Sequence, residues 1–147
     1  MAIERVEIFV VHFEVRPVRA VSIAPIPVHD FVYLRLTDSD GAIGWGEAYR
    51  IPGVAEVLRD LAPVVLGRDP RDARRLHADV LLAAEHTWAS SAYAIAIDDL
   101  RGRLLGVPVH RLYGGAVRDR VRAYGASTGY IEGRDPADTW QIGRAHV

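Results

Sequence analysis

The six histidines are the first side chains to weigh, because histidine serves both as a metal ligand and as a catalytic base. No two of them lie three to five positions apart, so no helix can present the paired ligands of a His-Glu-x-x-His zinc site. We therefore expect solvated or locally hydrogen-bonded side chains at His12, His29, His77, His86, His110 and His146.

The chain of 147 residues contains neither cysteine nor lysine, since all 18 of its basic residues are arginine. Without lysine, these residues cannot supply a Schiff-base lysine, a P-loop lysine or a lysine general base. Without cysteine, they cannot form disulfides, thiolate metal sites or a cysteine nucleophile. We assign no catalytic residue and no metal ligand within the chain.

Composition limits the possible partners and location. Half of the residues are apolar, which suits a folded core, and the net charge of -1 argues against a nucleic-acid partner. No run approaches the roughly 18 apolar residues of a membrane span. The first residues lack the basic and apolar segments of a secretory signal, and the lack of cysteine is typical of the cytoplasm, so we expect a cytoplasmic protein without a membrane partner.

The N-terminal third has the pattern of an antiparallel sheet. Residues 6–13 alternate as a long strand does, and residues 31–36 and 42–47 predict two more strands joined by a turn at residues 38–41. Residues 16–30 carry three prolines and show no period, so we predict a loop there. The three strands form a meander.

Three amphipathic helices are predicted next. The first has an apolar stripe from Val54 to Leu61 and ends at Pro63, and the second opens at Asp69-Pro70, an N-cap followed by proline. The third covers residues 92–105, with Asp99 and Arg103 paired one turn apart on its solvent-exposed face. Its apolar stripe consists of Tyr93, Ile97, Leu100 and Leu104.

The third helix should end at Gly106, because helices commonly end at a glycine in the left-handed conformation, and Pro108 cannot continue the helix. We predict an extended crossing over residues 107–112 and a turn at Gly114-Gly115. A short strand over residues 121–126 then begins a new unit. Strands followed by helices indicate an α+β fold.

The run from Ala94 to Val109, with Leu112-Tyr113-Gly114-Gly115 and Arg120 to Tyr124, resembles one family. It is similar to the mandelate racemase and muconate lactonizing enzyme family of the enolase superfamily, and Gly44-Trp45-Gly46-Glu47-Ala48 is an independent point of agreement. The resemblance extends from about Ile3 to Tyr130. Asp98 departs from the pattern, since members commonly carry tryptophan there.

The resemblance implies a domain organisation. Residues 1–117 would be the N-terminal capping domain, which in full-length members covers the mouth of a modified TIM barrel. Residues 118–140 would be the first strand and the start of the following helix of that barrel. A closed barrel needs about 250 residues, so the chain would hold a truncated one. Residues 141–147 are also what a common sequencing adapter encodes, apart from the first base of the run. We interpret them as a non-native tail, with a native frayed C-terminus as the alternative.

The resemblance also implies a function for the full-length protein. It would be a Mg²⁺-dependent isomerase or lyase that abstracts the proton α to a carboxylate: a racemase, epimerase, cycloisomerase or acid-sugar dehydratase. The base, a Lys-x-Lys or equivalent, and three acids that hold Mg²⁺ would lie on barrel strands absent from this sequence. The fragment alone is therefore expected to be inactive. The full-length protein would act on a small carboxylate substrate and form a homo-oligomer.

Five residues are candidates for contact with that substrate. In the resembled family, the loops after the first and third strands close over the substrate. Tyr49 and Arg50 lie just past the third strand, where an arginine can clamp a carboxylate with two hydrogen bonds, and a solvated surface arginine is the alternative. His29 ends the first loop. Ser127 and Thr128 end the first barrel strand, at the face where barrel sites are built.

A freestanding α+β binding or scaffold domain without chemistry is the competing hypothesis. It predicts a stable protein of this length with a stop codon after Val147. An unpaired barrel strand would then be an exposed edge, which favours misassociation.

Overall fold

A computed structural model describes residues 1–21, 24–123 and 130–131, with side chains over residues 1–14 and 28–123. The chain divides into two compact units. The first combines Met1–Val11 with Asp30–Val117, and the second combines His12–His29 with Arg118–Val147. The domain boundaries expected from the sequence remain a prediction.

The first three strands form the predicted antiparallel meander. Its strands are β1 (Ile3–Val21), β2 (Ala24–Asp38) and β3 (Ile43–Ala48), in the order β3-β2-β1. The register of β2 and β3 runs from Val32 opposite Ala48 to Thr37 opposite Ile43. Buried side chains alternate along β2, as expected for a sheet with one face on the core: Val32, Leu34 and Leu36.

The turn between β2 and β3 is confirmed at the predicted residues. The carboxylate of Asp38 accepts hydrogen bonds from the amides of Asp40 at 3.0 Å and Ala42 at 2.8 Å. Gly41 has a φ of +83°, which glycine adopts without strain. This turn fixes the register of the hairpin.

The loop predicted over residues 16–30 is wrong, because β1 continues to Val21 and β2 begins at Ala24. Prolines suggested the loop, yet proline lacks only an amide donor and its φ suits extended backbone. Pro25 and Pro27 precede the first residue of the β2–β3 ladder, Val32. They therefore remove no hydrogen bond from that ladder.

Helices follow the sheet, as predicted. They are α1 (Val54–Asp60), α2 (Ala62–Val65), a 3-10 turn (Pro70–Asp72), α3 (Ala73–Ala84), α4 (Thr87–Leu105) and α5 (Val109–Leu112). Asp69 caps the 3-10 turn as predicted, and its carboxylate accepts from the amide of Arg71 at 2.9 Å. None of the helices in the described ranges is long and apolar enough to cross a membrane.

Helix α4 begins five residues before the predicted start, because His86 caps it. The Nδ1 atom of His86 accepts a hydrogen bond from the amide of Ala89 at 3.3 Å. The predicted ion pair on the solvent-exposed face of α4 is confirmed, with Arg103 Nε 3.3 Å from Asp99 Oδ2. The same Asp99 oxygen accepts from the amide of Trp45 at 2.9 Å, which ties α4 to β3.

Two glycines of β3 let that strand lie directly against α4. A Cβ atom at Gly44 would be 2.3 Å from the carbonyl oxygen of Ala96, and one at Gly46 would be 2.1 Å from that of Ala92. Atoms this close would clash. The Gly-Trp-Gly spacing therefore places two residues without side chains on the strand face that meets the helix.

The core of the first unit lies between the sheet and the helices. The predicted stripe of α4 is fully buried at Tyr93, Ile97 and Leu100, and Leu104 is partly buried. Asp98, the departure from the family pattern, is also buried and accepts a hydrogen bond from the Tyr113 hydroxyl. Other large buried side chains are Ile3, Leu58, Val65, Leu76 and Val80.

Helix α4 ends at Gly106 as predicted, with a φ of +65°. The extended crossing predicted over residues 107–112 is wrong, since Val109–Leu112 forms α5. Val109 and Leu112 are three residues apart, a helical spacing, and both lie near Gly102. One turn of helix thus brings both apolar side chains to the same point on α4.

The second unit contains the only other strand pairing in the described part of the chain. Strand β4 (Tyr130–Ile131) runs antiparallel to β1, with Ala20 opposite Tyr130. Of the strand predicted over residues 121–126, the described residues 121–123 are not in a strand. Its remaining residues, the start of the following helix and the tail at 141–147 lie outside the described residues.

Candidate functional site

Tyr49 and Arg50 directly follow β3, where the sequence placed them. Both are exposed: the side chain of Arg50 is 61% accessible and Tyr49 is 67% accessible. They lie just beyond Ala48, which is buried. The end of β3 therefore carries a phenol and a guanidinium to the surface side by side.

The guanidinium of Arg50 is bound to Asp30, with Nη1 2.5 Å from Oδ2. The Asp30 side chain is only 4% accessible, whereas Arg50 is largely exposed. A carboxylate held by the protein can orient one edge of a guanidinium while the other donors face solvent. The ion pair thus fixes the position of a cation that still presents donors at the surface.

Tyr49 packs against Trp88, in the first turn of α4. The two ring centroids are 5.3 Å apart and the planes are tilted by 36°. Trp88 is 48% exposed, so each ring leaves part of its surface accessible. Aromatic rings of this kind offer an apolar contact beside the Arg50–Asp30 pair. We call Tyr49, Arg50, Asp30 and Trp88 the strand-end cluster.

Of the other three candidates, His29 lies within the described residues. His29 lies within β2, not at the end of a loop, and it belongs to the second unit. Its side chain is exposed. Ser127 and Thr128 lie outside the described residues. Their role stays a prediction.

Asp30 and Trp88 are members of the cluster that sequence reasoning missed. The turn at Asp38–Gly41 sets the register of the hairpin, in which Val32 lies opposite Ala48. Two residues further along each strand, on the same face of the sheet, this register places residue 30 opposite residue 50. Assigning residues 16–30 to a loop hid this pairing. Ala92 contacts Gly46 of β3 through its carbonyl. Because Trp88 precedes Ala92 by one helical turn, Trp88 lies beside the end of β3.

The described residues do not fit a Mg²⁺ site. Among them, no group of three or more His, Asp or Glu side chains is placed to hold a metal ion. The nearly buried carboxylate in the cluster, Asp30, is bound to a guanidinium. The cluster instead combines the exposed guanidinium donors of Arg50 with two partly exposed aromatic rings, and guanidinium donors match the oxygens of a carboxylate.

Comparison with known proteins decides the family. Residues 4–114 match the family described as mandelate racemase / muconate lactonizing enzyme, N-terminal domain. The chain belongs to this family. The matched range holds the whole strand-end cluster and every helix described above. The resemblance inferred from the sequence is confirmed.

Relatives of this family member are enzymes. A D-galactonate dehydratase family member from Streptomyces bingchenggensis is 37% identical over 116 residues, which are 71% of this chain and 28% of the relative. The 2-chloromuconate cycloisomerase from Rhodococcus opacus 1CP aligns with a TM-score of 0.75 at 25% identity, over 85% of this chain and 37% of that one.

A third similar protein is an enolase from Pseudomonas fluorescens Pf0-1, whose crystal structure holds magnesium, potassium and tartrate. It aligns with a TM-score of 0.68 at 26% identity, over 80% of this chain and 33% of that one. The chain thus spans about a third of the length of the proteins it matches. The predicted capping-domain fold, an antiparallel sheet followed by helices, is confirmed.

Proposed function

We propose that this chain is the N-terminal part of a Mg²⁺-dependent enzyme that abstracts the proton α to a carboxylate. Racemisation, epimerisation, cycloisomerisation and dehydration of acid sugars all begin with that step. The metal, bound elsewhere in the full-length protein, would stabilise the negative charge that develops on the carboxylate. This part would cap the active site and shape the choice of substrate.

The observation that carries the proposal is the family match over residues 4–114. The relatives include a dehydratase family member, and a similar enolase contains magnesium and tartrate, a dicarboxylate. Acid-sugar dehydration and cycloisomerisation are therefore the reactions to test first. Because the described residues offer no metal site, the base and the metal ligands are assigned to the rest of the enzyme.

The strand-end cluster supports a role in substrate choice. Asp30 holds Arg50, so the guanidinium loses little side-chain freedom when it binds a carboxylate. Tyr49 and Trp88 add exposed aromatic surface next to it. A substrate with a carboxylate remote from the reacting carbon fits this combination of groups. His29, Ser127 and Thr128 are proposed as further contacts.

Proton abstraction is tested most directly by exchange with solvent. The full-length protein is incubated in D₂O with a panel of acid sugars and muconates, and NMR follows the α-proton. We expect exchange or turnover with Mg²⁺, and loss of both after chelation. The 147-residue chain should be inactive under the same conditions. Comparable activity from the 147-residue chain would contradict the proposal.

The nucleotide sequence that follows the codon for Val147 distinguishes the enzyme from the competing hypothesis. A gene that stops after Val147 and yields a stable protein without activity would favour a freestanding binding or scaffold domain. A downstream reading frame with a Lys-x-Lys pair and spaced acids would support the enzyme. The cytoplasmic location, the homo-oligomer and the non-native origin of residues 141–147 belong to this proposal as predictions.

A further inference from the structure

A groove lined by arginines lies on the first unit, apart from the residues of the strand-end cluster. Its walls come from the segment before the 3-10 turn, from that turn, from α3 and from α4. The residues that line it are Arg68, Arg71, Asp72, Arg74, Arg75 and Arg101. We call it the arginine groove. Five of these six residues are arginines, so guanidinium groups dominate the chemistry of the groove, and Asp72 adds one carboxylate.

The carboxylates near the groove do not balance these arginines. Asp79 is shared, with Arg68 Nη2 at 3.1 Å and Arg75 Nε at 3.6 Å. Asp69 binds Arg71 at 2.5 Å. With Asp72, three carboxylates face five guanidinium groups, which leaves a formal excess of two positive charges.

Arg74 and Arg101 carry that excess. Within the described residues, neither forms an ion pair with a carboxylate. The Nε atom of Arg101 is buried and has no hydrogen-bond partner there. A buried donor without an acceptor is costly, and a bound anion would supply the acceptor.

We propose that the arginine groove binds an oxyanion that carries two negative charges, either a phosphate group or a pair of carboxylates. Guanidinium groups present rigid pairs of donors that match the oxygens of both groups. The charge of such a ligand equals the excess in the groove. Arg74 and Arg101 are its principal ligands, with Arg68, Arg71 and Arg75 at the rim. This inference does not depend on the reaction of the full-length enzyme.

Isothermal titration of the 147-residue chain tests the proposal, with inorganic phosphate in one arm and succinate in the other. Chloride keeps the ionic strength constant, so that general screening does not change during the titration. We expect saturable binding to a single site. Tighter binding of phosphate identifies a phosphate-bearing ligand, and tighter binding of succinate identifies a dicarboxylate.

Two variants locate the site. Arg74→Ala removes an exposed side chain, and Arg101→Lys keeps the charge but loses the paired donors. Each should weaken binding about tenfold, as expected for one charge-assisted hydrogen bond. The matched control is Arg103→Ala, also on α4 but paired with Asp99, which should change the dissociation constant less than about twofold.

Absence of saturable binding to the wild-type chain overturns the proposal. The proposal is also overturned if Arg74→Ala leaves the dissociation constant of the anion unchanged. Circular dichroism of each variant verifies its fold, and Arg74→Ala keeps the test decisive if Arg101→Lys unfolds, because the Arg74 side chain is exposed.

Discussion

The hydroxyl of Tyr93 donates a hydrogen bond to the backbone carbonyl of Leu58 at 2.7 Å, with both groups inside the core. Leu58 lies in the last turn of α1, where carbonyls lack partners within the helix. A side chain of α4 thus satisfies a terminal carbonyl of α1. The contact joins the two helices with a polar bond in an otherwise apolar region.

Tyr93→Phe removes that hydroxyl and leaves a buried carbonyl without its partner. We expect the free energy of unfolding to fall by about 1–2 kcal/mol. Urea melts measure the change. Tyr49→Phe, in an exposed tyrosine, is the control and should change stability by less than about 0.5 kcal/mol. Equal losses in the two variants would contradict a structural role for the Tyr93 hydroxyl.

Alkaline pH should weaken the fold through the same residue. Burial raises the pKa of the Tyr93 phenol above its ordinary value of 10.0. Below that value both the folded and the unfolded states keep the proton, so the Tyr93 phenol contributes no pH dependence to the free energy of unfolding. Above it only the unfolded state loses the proton readily, so stability falls as pH rises toward the folded pKa. Urea melts between pH 8 and 11 should show a decline that is smaller in Tyr93→Phe.

The close approach of β3 and α4 makes Gly46 intolerant of a side chain. In Gly46→Ala the new Cβ would be 2.1 Å from the carbonyl oxygen of Ala92, so strand and helix must separate. We expect a loss of about 3 kcal/mol or more, at the upper end for overpacked cores. Glu47→Ala, in the same strand but exposed, should cost far less. Thermal melts compare the two, and a stable Gly46→Ala would contradict the packing.

The sequence predicted the elements whose signals are local. The apolar stripe of α4, its end at Gly106 and the turn at Asp38–Gly41 follow from residue spacing and from glycine's freedom at positive φ. It failed where a local signal was ambiguous. The prolines at residues 17, 25 and 27 fit both a loop and the extended strands that the structure shows.

The candidate site was predictable only in part, because its contacts join distant residues. Tyr49 and Arg50 were found from their place after β3. Their partners lie 20 residues before Arg50 and 39 residues after Tyr49, and no local pattern names Asp30 or Trp88 as such partners. Asp30 required the hairpin register, and Trp88 required knowledge that α4 crosses β3 at its glycines.

Leu100→Ala should destabilise the first unit by about 2–4 kcal/mol, since Leu100 is fully buried and its loss leaves a cavity. Arg103→Ala, one turn along on the wet side, should cost less than about 0.5 kcal/mol, because an exposed pair with Asp99 contributes little. Denaturant melts measure the loss in the free energy of unfolding for each variant. Equal losses would mean that the two residues share the same environment, contrary to the structure.

Arg50→Ala in the full-length enzyme should raise KM more than it lowers kcat. A surface cation that holds a remote carboxylate contributes equally to binding of the substrate and of the transition state, and loss of such binding appears in KM. Tyr49→Phe should have a smaller effect and alter substrate preference. The kinetics are measured on a panel of mono- and dicarboxylate sugars and aromatic acids.

The Asp30→Asn variant tests whether Arg50 binds the substrate or is only a solvated surface side chain. If Asp30 positions the guanidinium, removing its charge should raise KM for the same substrates that Arg50→Ala affects, while Arg50 itself is still present. Melts of both variants show whether the ion pair also contributes to stability, since it involves a nearly buried carboxylate. Kinetics unchanged across the panel for Arg50→Ala would leave this arginine as a partner of Asp30 alone, with no part in substrate choice.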